Sequence, residues 1–215
     1  MDDRDRVLTR IRGSLGRTEA PSREAARADL SARIDDTPPR PQWEATRVER
    51  FTERLEAAAG SWASVAEREA LPSMIAAWLG EAGEQPLGMA PHPLLTGLDW
   101  SPLTTPQTDL DNARHWHTAI TVGYAGIAET GSIVLPSGPS RPTTPNFLPD
   151  RHIVVLSVGD IVDYMESVWD RLLADGPLPR TVNVITGPSR TADVEQTLQL
   201  GAHGPRQLHV LLLQD

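Results

Sequence analysis

Cysteine is absent from the 215 residues. That excludes disulfides, thiolate nucleophiles, thiolate zinc sites and any iron–sulfur cluster ligated by the chain's own cysteines. Lysine is absent too, so all 20 basic residues are arginine. Schiff-base chemistry and the lysine of a phosphate-binding P-loop are thereby excluded. Bidentate recognition of carboxylate or phosphate by arginine stays open. No apolar run approaches the ~18 residues that a membrane span needs. The Gly-x-Gly-x-x-Gly fingerprint of nicotinamide binding is missing as well.

What is present is acidic and unevenly spread. The net charge is −9. Residues 1–60 balance twelve Arg against twelve Asp and Glu, so residues 61–215 carry the whole excess. An acidic globular part argues against nucleic acid as a partner. The opening Met1-Asp-Asp-Arg-Asp-Arg lacks the charged-then-apolar layout of a signal peptide, and the expected location is the cytoplasm.

Composition divides the chain into an N-terminal arm, residues 1–42, and an α/β domain, residues 43–215. In the arm, Val7, Leu8, Ile11 and Leu15 predict an amphipathic helix over 4–16. A Ser/Arg/Ala/Pro stretch ending in Pro38-Pro39-Arg40-Pro41 reads as a linker. An isolated helix of that length is marginal in water, so its apolar stripe suggests docking.

From about residue 43, helix and strand signals alternate. Val48, Phe51 and Leu55 predict a helix ending near Gly60. Strands are expected at Trp62–Ala66, Leu87–Ala90, Ile153–Ser157, Thr181–Thr186 and Gln207–Leu213. Helices are expected near Pro72–Leu79, 160–174 and 191–200. The interrupted apolar run Ala119–Leu135 predicts two strands or a hairpin, with Glu129 at its turn. Residues 137–151 form a long Pro-rich loop of the kind that often carries function. Such alternation predicts a three-layer α/β/α sandwich with a mostly parallel sheet.

Two segments could carry chemistry. In Gly187-Pro-Ser-Arg-Thr-Ala-Asp193 the pattern predicts a sharp strand-to-helix turn. Ser189 or Thr191 would cap the helix, and its amides with Arg190 would form an anion site at the carboxyl end of a strand. The plain alternative is an ordinary capped helix with Asp193 complementing its dipole. Beyond it, His203 sits in a tight Gly201-Ala-His-Gly-Pro205 turn, as a general base, a ligand or a turn-bonding residue. The other segment is Ile127-Ala-Glu-Thr-Gly-Ser-Ile133. A carboxylate inside an apolar stretch must be solvated, paired or functional, so Glu129 is a candidate nucleophile or acid/base. A solvent-facing hairpin turn is the alternative. His115 and His117 share a face only on a strand; with His92 and His152 isolated, no metal site is expected.

Taken together, Ala128-Glu-Thr-Gly-Ser132, the Pro-rich loop, Leu148-Pro149, His152-Ile-Val-Val155 and Gly187 through Pro205 resemble the LUD-domain family, and within it the lactate-utilisation C subgroup. The resemblance covers most of residues 43–215. It implies an α/β/α fold similar to the sugar-phosphate isomerase and CoA-transferase superfold. It also implies action beside two iron–sulfur partners, the lactate-utilisation proteins A and B, in oxidising L-lactate. On that reading the chain has no cofactor of its own. It is an accessory or substrate-binding subunit for a small carboxylate or other anion, with Glu129 and His203 as catalytic candidates. Thr130, Gly131, Gly187, Ser189, Arg190, Thr191 and Asp193 are the ligand-binding candidates. A stand-alone transferase or isomerase with Glu129 as nucleophile or base is the alternative.

Overall fold

A computed structural model describes residues 2–16, 22–33, 40–80, 85–103, 106–192, 198–200 and 204–214. The chain divides into two compact units, Met1–Glu44 and Ala45–Asp215. Among the described residues no helix is long and apolar enough to cross a membrane.

The first unit holds α1 (Asp3–Ser14) and α2 (Arg23–Arg33). The stripe on α1 is exposed: Val7, Ile11 and Leu15 are 58, 49 and 62% accessible. Helix α2 falls where composition predicts a linker. The local physics favours the helix, because Ala25, Ala26 and Ala28 are the best helix formers. Ser22 Oγ also accepts from the Ala25 amide at 3.0 Å and caps the start.

In the second unit, α3 (Arg47–Ala57) begins in a capping box between Thr46 and Glu49. It ends in a Schellman motif: Gly60 N donates to Leu55 O and Ala59 N to Glu56 O. Ala59 takes the left-handed conformation there, at φ 62°. Strands β1 (Ser61–Val65), β2 (Leu87–Met89), β3 (Thr118–Val122), β6 (Arg151–Ser157) and β11 (Gln207–Leu213) build one fully parallel sheet, in the order β1-β11-β6-β3-β2. Helix α4 (Leu71–Leu79) covers one face. Leu71, Ile75 and Leu79 pack there on Val65, Ile120, Ile153, Val155 and Leu211. Central strands buried on both faces read as continuous apolar runs, which is why β6 and β11 are legible in the sequence.

The other face meets α3 and a smaller mixed sheet. That sheet runs β7 (Ile161–Val162), β4 (Ala125–Ile127), β5 (Ser132–Pro136), β8 (Val182–Ile185). Strands β4 and β5 form the expected hairpin, and β8 joins antiparallel to β5. Helix α5 (Met165–Ala174) closes this side, with Val168 and Leu172 against Tyr124, Ala125, Ile127 and Val134. The outcome is an α/β fold with a mostly parallel central sheet and helices, as the alternating pattern predicts.

The helix expected over 160–174 begins only at Met165, after β7, and a further expectation fails outright. The helix predicted over 191–200 is replaced by β9 (Arg190–Ala192) and β10 (Leu198–Leu200), which pair antiparallel. Residues 193–197 lie outside the described residues. The alternation Leu198-Gln-Leu200 and the β-branched Thr191 suit a pleated ribbon, and the ladder satisfies backbone groups that a helix would otherwise use.

Candidate functional site

The turn after β8 remains the wall of a cavity, though no helix starts there. Thr186, Gly187, Pro188, Ser189 and Arg190 line a space of about 310 Å³ with Val184, Ile185, Asn146, Phe147, His152, Gly204, Pro205 and Leu208. His152 and Leu208 are the second residues of β6 and β11. The cavity therefore opens at the amino ends of the parallel strands. This corrects the expectation that the turn sits at their carboxyl ends, because β8 belongs to the mixed sheet. The roles foreseen for Ser189 and Thr191 as helix caps lapse with the helix. Ser189 N instead donates to Pro205 O at 2.8 Å, holding the turn against the start of β11. Thr191 pairs with Gln199 in the β9–β10 ribbon. Asp193 and His203 lie outside the described residues.

Gly187 and Gly131 are required by backbone geometry. Gly187 has φ +71°, and a Cβ there would fall 2.2 Å from the Ala58 carbonyl oxygen. Gly131 has φ +67°, and a Cβ would fall 2.4 Å from Leu55 N. Both turns thus rest on the last turns of α3. Arg190 completes this anchor by donating from Nη2 to Ala58 O at 2.8 Å. A guanidinium on the last carbonyls of a helix is favourable on its own account. Arg190 consequently has a structural task in addition to its place at the cavity rim.

The two motifs meet through hydroxyls. Ser132 Oγ lies 2.6 Å from Thr130 Oγ1 and 2.6 Å from Thr186 Oγ1. Ser132 is buried, whereas Thr130 and Thr186 reach solvent. Glu129 occupies the hairpin turn, half-buried, with its amide donating to Asp163 O at 3.0 Å. It is not among the residues lining the cavity. Ser132, rather than Glu129, is what carries the hairpin to the turn after β8.

The chemically distinctive groups are two that lie outside the Glu129 and Gly187 segments. His152 is fully buried, with Nε2 2.7 Å from Thr121 Oγ1 and no partner on Nδ1 among the described residues. Burial alone pushes its pKa down to about 3, so the ring is neutral near pH 7. Asn146, 2% exposed, has no partner for its side-chain oxygen among the described residues. Both residues line the cavity. An unpaired buried polar atom costs ~1–3 kcal/mol, so two such residues around one cavity mark it as the candidate site. The sequence signal for His152 is its position at the head of an apolar strand, where a polar side chain must find a partner. Asn146 carries no such signal within its loop.

The remaining histidines have local roles. His209 stacks on Trp78 at 4.6 Å and meets Ser61 Oγ through Nδ1 at 2.8 Å. His117 lies 3.8 Å from Asp150, and His115 accepts from Arg114. His115 closes a 3₁₀ turn over Leu110–His115 and His117 precedes β3, so the pair does not share a strand face. Among the described residues no group of three or more His, Asp or Glu could hold a metal ion.

The LUD domain model matches residues 48–213. An uncharacterized protein of Neisseria meningitidis serogroup B is 36% identical over 101 residues, covering 45% of this chain and 43% of that one. Lactate utilization protein C of an Exiguobacterium strain is 33% identical over 121 residues, 54% of this chain and 53% of the relative. The protein of the same name from Bacillus subtilis is 31% identical over 113 residues, 51% and 47% of the two chains. The chain thus spans about half the length of the curated relatives it matches. Among solved structures, a DUF162 family protein from Deinococcus radiodurans aligns with a TM-score of 0.53 at 22% identity. That alignment covers 80% of this chain and 99% of the other, and it supports the fold.

Proposed function

The chain belongs to the LUD domain family, and from that premise we propose that it serves lactate utilisation as a ligand-binding subunit. Its cavity would hold a small 2-hydroxy or 2-oxo carboxylate. The observation that carries this reading is a 310 Å³ cavity lined by two residues, His152 and Asn146, whose buried Nδ1 and Oδ1 have no partner among the described residues. The names of the relatives supply the metabolic context.

The fit is chemical. In the tautomer whose Nε2 accepts from the Thr121 hydroxyl, the neutral imidazole carries its N–H at Nδ1, a donor suited to a carboxylate oxygen. The Asn146 oxygen accepts from a ligand hydroxyl. Arg190 at the rim supplies positive charge, and Leu208 and Pro188 offer apolar surface to a methyl group. Iron–sulfur proteins A and B are the proposed partners, since oxidising a 2-hydroxy acid needs an electron acceptor and this chain has no cysteine to ligate a cluster. The exposed α1 stripe is the proposed docking element.

Thermal melting with L-lactate, pyruvate and chloride controls tests the cavity. Ligand at ~100 times its dissociation constant stabilises by ~2.7 kcal/mol. A shift with either carboxylate that disappears in Asn146→Ala supports the site. No shift with either removes it. Co-purification with the partners tests docking separately: Val7→Asp with Ile11→Asp in the full chain should abolish association, and undiminished association ends the docking role.

A further inference from the structure

Consecutive residues of a strand point to opposite faces of its sheet. On β6 and β11 the register sets Arg151 beside Gln207 and His152 beside Leu208. His152 and Leu208 line the cavity beside Gly187, so Arg151 and Gln207 point to the other face. That face is the one covered by α4, because Ile153, Val155 and Leu211, at alternate positions beyond them, cluster with Leu71, Ile75 and Leu79. At the amino end of this face, Arg151 and Gln207 line a separate cavity of about 390 Å³ with Asp150 and Arg206.

The charges there are unequal. Arg151 is half-buried, and neutral groups hold its guanidinium: Nε donates to Gln207 Oε1 at 3.0 Å and Nη1 to Gln85 Oε1 at 3.1 Å. It forms no ion pair among the described residues. Those two bonds fix the plane of the group and leave Nη2 for a ligand. Arg206 is held at its backbone, where the amide donates to Asp150 O at 2.7 Å. Its side chain is 65% exposed and meets Asp150 Oδ1 through Nε at 3.5 Å. Asp150 is the one acid lining the cavity among the described residues, and its other oxygen lies 3.8 Å from His117 Nδ1. Two arginines against one shared carboxylate leave this spot positive, on a chain whose net charge is −9.

We propose that Arg151, Arg206 and Gln207 form an oxyanion site that takes a phosphoryl group. The donors decide the class. Gln207 gives Oε1 to Arg151, so its Nε2 is left as a donor. Nη2 of Arg151 and the terminal amines of Arg206 add to it. A carboxylate offers two coplanar oxygens, which one guanidinium fork satisfies. A phosphoryl group offers three acceptor oxygens in different directions, which suits donors arriving from two arginines and an amide. The two glutamines hold Arg151 in place before the anion arrives, so little side-chain freedom is lost on binding. The site shares no lining residue with the His152 cavity, and the proposal does not rest on that reading.

Titration calorimetry of the full chain with inorganic phosphate tests the site, with sodium acetate and sodium chloride as controls and glycerol 3-phosphate as an organic phosphomonoester. Ionic strength is held constant, because salt screens exposed arginines. Saturable phosphate binding, tighter than acetate, is expected. Arg151→Gln should weaken it roughly tenfold or more, and the exposed Arg206→Gln roughly threefold or more. If Arg151→Gln does not fold, Arg206→Gln decides alone. Asn146→Ala, in the other cavity, should bind phosphate as the wild type does, so failure of one site is distinguishable from failure of the other. Tighter glycerol 3-phosphate than phosphate identifies an organic phosphate as the source of the group, and equal or weaker binding identifies the free ion. No binding beyond chloride, acetate as tight as phosphate, an Arg206→Gln variant that titrates as the wild type, or phosphate binding lost in Asn146→Ala each overturn the proposal.

Discussion

The hydroxyl of Thr121 and Nε2 of His152 lie 2.7 Å apart in the interior of the parallel sheet, and this is the only hydrogen bond of the ring among the described residues. Thr121→Val removes it and leaves both ring nitrogens unsatisfied. A loss of ~1–3 kcal/mol is expected, read as the denaturant midpoint. Replacing both partners, as in Thr121→Val with His152→Leu, should recover part of that loss, since an apolar pair leaves no orphan group. A double variant as unstable as the sum of the singles would show that the bond contributes nothing beyond packing.

Acid should destabilise the protein above the carboxylate range. His152 and His209 are pushed down by burial to about 3 and about 4, from an ordinary value of 6.5. Between those values the unfolded chain binds protons that the folded chain refuses. Stability is therefore complete above about pH 6.5 and falls as the pH drops toward 4, by at most ~1.4 kcal/mol per pH unit for each histidine. Denaturation midpoints at pH 7.5, 6 and 5 check this, and His209→Gln should flatten the slope. A midpoint constant over that range contradicts the burial of both rings.

Gly187→Ala probes how the cavity wall is held. The added Cβ meets the Ala58 carbonyl oxygen at 2.2 Å in a left-handed backbone conformation. The conformational cost is ~1–2 kcal/mol, and the steric conflict adds a similar amount. Arg190→Met, which loses only the bond to Ala58, should cost ~0.5–1.5 kcal/mol. Similar losses for the two variants would mean that the turn is not seated on α3.

These glycines also show what the sequence could and could not convey. Apolar runs with the right length and flanking turns give away β6 and β11, because strands buried on both faces need no alternation to be recognised, whereas the run Ala119–Leu135 holds three strands where two are expected. The hairpin around Glu129 follows from its glycines. By contrast, residues 191–200 carry apolar positions compatible with either period, and only the pairing of β9 with β10 decides between them. Which sheet β8 joins is likewise a tertiary matter, and it moves the cavity from one end of the parallel strands to the other. His152 and Asn146 stand apart from both motifs in the chain. Their shared cavity arises from the register of β6 beside β11 and the path of the loop before it, which no local pattern encodes.

Ala59 offers a gain in stability. It is the one described non-glycine residue with positive φ, and it occupies the αL position closing α3. An L side chain there costs ~1–2 kcal/mol, partly offset by the larger unfolded-state entropy of glycine. Ala59→Gly should therefore stabilise by ~0.5–1 kcal/mol, seen as a higher denaturant midpoint at unchanged slope.

Ser132 separates architecture from recognition. Its buried hydroxyl joins Thr130 to Thr186 at 2.6 Å on each side. Both neighbours reach solvent, so in Ser132→Ala each can turn to water, and the expected cost is only ~0.5–1.5 kcal/mol. Thr186, however, lines the cavity. Once its hydroxyl is released from Ser132, that part of the cavity wall is no longer fixed. The proposed carboxylate should then bind more weakly than the small stability loss alone explains. Comparing the ligand-induced melting shift in Ser132→Ala and the wild type measures this. An unchanged shift would mean that the hydroxyl chain holds the hairpin to β8 without shaping the cavity.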